Sequence, residues 1–61
     1  MNKFVAYIQI REALHTACDF QDLEEARYLI INFTHVYPDR VIIARLNMLY
    51  EIAIMKMCGT Y

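Results

Sequence analysis

The sequence predicts an all-α protein: a three-helix bundle with the third helix central, assembled as an oligomer. Three observations carry this. Apolar residues recur at the 3.6-residue helical period through three segments, with one proline and one glycine to interrupt them. The hydrophobic classes supply 59% of the chain, above the roughly 45–50% of ordinary soluble domains. The chain is also short, with 61 residues. A domain of that size buries only about 60% of the surface its unfolded chain exposes, so one copy is not expected to hide the excess. Residues 1–61 read as a single helical domain, with helices at about 3–17, 23–37 and 40–58.

Asn2 is placed to cap the first helix. Its apolar face is Ala6, Tyr7, Ile10, Ala13, Leu14, Ala17 and Cys18, with Gln9, Glu12 and Thr16 opposite. Asp19-Phe20-Gln21-Asp22 reads as the break. Asp22 is the expected cap of the second helix because Glu25 follows three residues later, as in a capping box. Glu24 and Glu25 suit the positive end of that helix, and Phe20, just outside it, is expected to fold back on the first turn. Leu23, Ala26, Ile30, Phe33 and Tyr37 make its packing stripe, which Leu29 and Val36 widen. Glu24, Arg27, Tyr28 and His35 take the other side. Pro38 ends the helix, since proline disfavours helical geometry in the residue before it.

The third helix, starting at Asp39 or Arg40 and stopped by Gly59, is apolar on two sides. Ile42, Ile43, Leu46, Leu49, Tyr50, Ala53, Ile54 and Met57 form one face. Val41, Ala44, Met48, Ile52 and Met55 form a second, nearly opposite. Arg40, Asn47 and Glu51 divide the faces along one seam, and Arg45 and Lys56 along the other. A helix apolar nearly all round is buried on both sides, yet the first two helices can cover only one face. The second is therefore expected to meet another chain, most simply a second copy about a two-fold axis. Single exposed apolar residues need no explanation; five in register do.

Other chemistries find little support. Two cysteines, with Met1-Asn2-Lys3 running straight into a helical pattern, suggest reduced cytosolic thiols rather than a disulfide scaffold, with Cys18 in the core as a small hydrophobe. Arg45, Glu51 and Lys56 cut the apolar runs below the roughly 20 residues of a membrane span. His15 and Cys18, with His35 and Cys58, lack the closely paired ligands of structural zinc sites. Neither thiol has an evident activating base, and Cys58 lies at a helix C-terminus, where the dipole disfavours a thiolate. The adjacent Glu24 and Glu25 point apart on a helix, and the lone Gly59 cannot build a phosphate-binding loop. No enzyme activity, metal, cofactor or small-molecule substrate is expected. A net charge of -1 without a basic patch argues against nucleic acid. The alternative, a dimeric helical DNA-binding transcriptional regulator, would need Arg40, Arg45 and Asn47 in one groove, although they lie on different sides of the helix.

Gln21-Asp22-Leu23-Glu24-Glu25-Ala26, with Pro38 twelve residues after Ala26, resembles the turn and second helix of a tetratricopeptide repeat. Gln21 stands where that repeat has glycine, and Phe33 where it has alanine. The likeness implies a helical hairpin and a protein-binding role. A leaderless, methionine- and tyrosine-rich helical chain of this length also resembles the small early-region regulatory proteins of lambdoid bacteriophages. That resemblance implies a regulator of host or phage development, in the host cytoplasm.

The function expected from these readings is that of a small cytosolic regulatory or adaptor protein acting through self-association and protein contact. Its partners are a second copy and a further protein. The expected contact residues are Val41, Ala44, Met48, Ile52 and Met55, with Arg45 and Lys56 at the rim. Among the five tyrosines, Tyr28 is the one expected to be exposed.

Overall fold

A computed structural model describes residues 2–59, so Tyr61 lies outside the described residues. Three helices, α1 (Lys3–His15), α2 (Phe20–Val36) and α3 (Arg40–Cys58), account for nearly all of it. Each packs against both of the others. Within one chain α3 is thus one of three mutual neighbours, and a central place for it requires a second chain on its outer side.

The helix ends follow from side-chain caps. Asn2 accepts the Val5 N–H at 2.9 Å, as its position at the start of α1 suggests. α1 stops at His15, short of the expected Ala17, where the Glu12 carbonyl accepts both the Thr16 N–H and the Thr16 hydroxyl at 2.9 Å. α2 starts at Phe20, before the expected Leu23, and its cap is Asp19 rather than Asp22. The Asp19 carboxylate accepts the Asp22 N–H at 2.9 Å, while the Asp22 carboxylate accepts the Cys18 N–H at 3.0 Å. Two aspartates thus close the start of α2 one turn earlier than Asp22 and Glu25 would, Asp22 reaching the N–H of Cys18 rather than that of the cap residue as in a capping box. Phe20 then falls in the first helical turn and stays 64% exposed instead of folding back. Cys18 lies in the loop and is exposed, which corrects its expected place in the core.

Tyr37 and Pro38 end α2 as the sequence requires, Tyr37 taking extended backbone geometry. Asp39 then caps α3, accepting the Val41 and Ile42 N–H groups at 3.1 and 3.2 Å. The same carboxylate accepts a 2.8 Å hydrogen bond from the Lys3 ammonium, tying the start of α1 to the start of α3. The hydrogen bond from Lys3, then that from the Ile42 N–H, holds the Asp39 carboxyl below its ordinary value. At the other end Gly59 adopts a left-handed φ of 75°, and its N–H reaches the Lys56 and Met55 carbonyls.

One small core results. Ile10 and Leu14 from α1, Leu23, Ala26, Ile30 and Phe33 from α2, and Leu46 from α3 are buried. Ala6, Tyr7, Ala13, Ala17 and Tyr37 pack around them, with the rest of the inner face of α3. The Phe33 and Tyr37 rings meet with centroids 5.1 Å apart and planes tilted by 46°, within the range of favourable aromatic pairs. Leu29 and Val36 do not join: they are 43% and 64% exposed. They lie on a flank of α2 turned away from both neighbours, so the stripe is narrower than expected. No polar or charged residue is buried among the described residues.

Candidate protein-interaction surface

The second apolar strip of α3 faces outward. Val41 is 75% exposed, Met48 53% and Met55 40%. Ala44 is exposed, and Ile52, nearest α1, is half-buried. Arg45 and Lys56 lie exposed along the α1 side of the strip, and Arg40, Asn47 and Glu51 along the other. All seven residues read from the sequence as an interface thus sit on one side of a single helix about 28 Å long. The side chains that pack against the core come from the opposite side, from Ile42 to Met57.

Two further features were not read from the sequence. Phe4, Val5 and Ile8 leave an apolar patch on the outer side of α1, with 61%, 42% and 46% exposure. Phe4 and Ile8 are spaced i, i+4, the same helical spacing that marks the inward stripe of α1. The second feature is a cleft of about 320 Å³ between the end of α1 and the last turns of α3. Leu14, Ala17, Leu49 and Ala53 line it, with Arg11, His15 and Lys56 beside them.

His15 and Cys18 also border this cleft, but His35 is in the last turn of α2 and Cys58 at the end of α3, and the four are not drawn together. No group of three or more potential metal ligands occurs among the described residues. Tyr28 is 61% exposed, as expected. No helix of the described residues is long and apolar enough to cross a membrane. Comparison of the chain with protein-family models, curated proteins and solved structures finds no match.

Proposed function

We propose that this chain is a small regulatory or adaptor protein that works by laying the outer side of α3 against another protein surface, a second copy in the first instance. The observation that carries the reading is the strip Val41, Ala44, Met48, Ile52 and Met55, in helical register on the one side of α3 that α1 and α2 leave uncovered. Two of the five residues are methionines, whose flexible thioethers adapt to different partners. Arg45 and Lys56 would form a polar rim, the usual boundary of an apolar contact. Likeness in length and composition to early-region regulators of lambdoid bacteriophages supports a role in host or phage development.

Sedimentation over a range of concentrations, with the wild-type chain and Met48→Glu, tests this. Burial of an unpaired carboxylate costs several kcal/mol, roughly enough to dissociate a small dimer. The wild type is expected to be a dimer or larger, and the variant a folded monomer with unchanged helicity. A compact wild-type monomer at every concentration, matched by the variant, defeats the reading.

A further inference from the structure

We propose that the cleft between α1 and α3 receives the acidic, leucine-bearing side of an amphipathic helix from a partner protein. This rests on reading the chain as a protein-binding module, but on residues other than the α3 strip, apart from the shared Ile52 and Lys56.

Leu14, Ala17, Leu49 and Ala53 supply much of the apolar part of the lining, and the two alanines contribute only methyl groups to it. The cleft is at the lower end of the roughly 300–1,000 Å³ of ligand sites, and it is partly open to solvent. A free small molecule needs most of its surface covered, whereas a side chain projecting from a helix needs cover on its own face only. α1 and α3 run in the same direction here, since Lys3 meets Asp39 at one end and Arg11 to Cys18 lie beside Leu49 to Met57 at the other. The groove between them is about two helical turns long, suited to apolar anchors spaced three, four or seven residues apart.

The charge around it is one-sided. Arg11 and Lys56 bring positive charge to the cleft with the His15 imidazole beside them, and no carboxylate lines it among the described residues, although acids outnumber lysine and arginine in the chain. Lys56 already has a partner within the chain, which leaves Arg11 and His15 to meet a ligand. Among the described residues Arg11 meets Glu12 at 4.0 Å, both side chains being about half exposed or more, and the Tyr7 ring at 5.9 Å. The nearby Asp19 and Asp22 carboxylates are turned to the N–H groups of Asp22 and Cys18. An incoming carboxylate meets the Arg11 guanidinium and the His15 imidazole, with no carboxylate among the described lining residues, while an incoming ammonium meets the Arg11 charge.

Cys18 borders the cleft and reports on its occupancy. In a Cys58→Ser background it is the only thiol. The probe is a labelled, end-capped peptide of about 15 residues, long enough to be helical when bound, with leucines at i, i+3 and i+7 and flanking glutamates. By fluorescence anisotropy it is expected to bind, to weaken as salt rises, and to slow alkylation of Cys18. Arg11→Glu/His15→Glu should weaken binding at least about tenfold, and a version with lysine for every glutamate should prefer that variant to the wild type. Met48→Glu should leave peptide binding and Cys18 protection intact even where it abolishes self-association, which separates this site from the α3 strip. The proposal is overturned if the acidic peptide does not bind, if both peptides bind wild type alike, if Cys18 stays unprotected, or if Met48→Glu removes peptide binding. Equal protection by dodecanoate, or protection that only raising the protein concentration produces, also overturns it, assigning the cleft to a free amphiphile or a second copy.

Discussion

The two sides of α3 are built from the same kinds of residue and have opposite fates. Leu46 on the inner side is fully buried, while Val41 on the outer side is 75% exposed. Both sides carry aliphatic and methionine side chains at helical spacing. Hydrophobicity alone therefore did not choose which side was covered. The short connections over residues 16–19 and 37–39 return α1 and α2 to one flank of α3, and no other described segment covers the opposite one.

Truncation gives the largest expected contrast. Leu46→Ala should destabilise the chain by about 2–5 kcal/mol, through lost burial and a cavity, a large loss for a domain with so small a core. Met48→Ala, at a concentration where the chain is monomeric, should change stability by no more than about 0.5 kcal/mol. Urea denaturation followed by circular dichroism measures both. Similar losses at the two positions would show that the outer side is packed within one chain.

The caps that aim the helices come next. Asp19→Ala should cost about 1 kcal/mol, the usual loss on removing a helix cap. Glu25→Ala should cost much less, because Glu25 lies beyond the first turn of α2. The opposite order would restore the later start that Asp22 and Glu25 suggest.

The smallest effect concerns the tie between α1 and α3. The Asp39 carboxyl lies below its ordinary value in the folded chain. Its contribution to stability is therefore complete above the unfolded value of 3.8 and lost as the pH falls through the lowered one. Asp39→Asn keeps a capping side chain but removes the charge that meets Lys3, so stability in acid should decline less steeply than in the wild type. Thermal melts from neutral pH downwards would show it, and parallel curves for the two proteins would remove Asp39 from the acid response.

Much of this was legible in the residues. The inward stripe of α2 from Leu23 to Phe33, the Pro38 break and the Gly59 stop all appear where their spacing and backbone preferences place them. The start of α2 is ambiguous in the sequence because Asp19 and Asp22 both have a capping residue's chemistry and both have an acid three residues later. Local sequence does not rank two such boxes; the path of the chain out of α1 does. Leu29, Val36 and Cys18 were misplaced for a related reason, since periodicity shows that a residue is near the apolar side without showing how wide a sector the neighbouring helices cover. The cleft could not be read at all, because it depends on Ala17 and Ala53, distant in sequence, coming to face the same gap.

The sequence by itself determined the number of helices, where α3 begins and ends, and that α3 has two apolar sides, because periodicity, proline, glycine and capping groups act within a few residues. Tertiary structure alone decided which apolar residues are covered and which line an open groove. Burial is a relation between segments far apart in the chain, and three short helices reach around only part of one another.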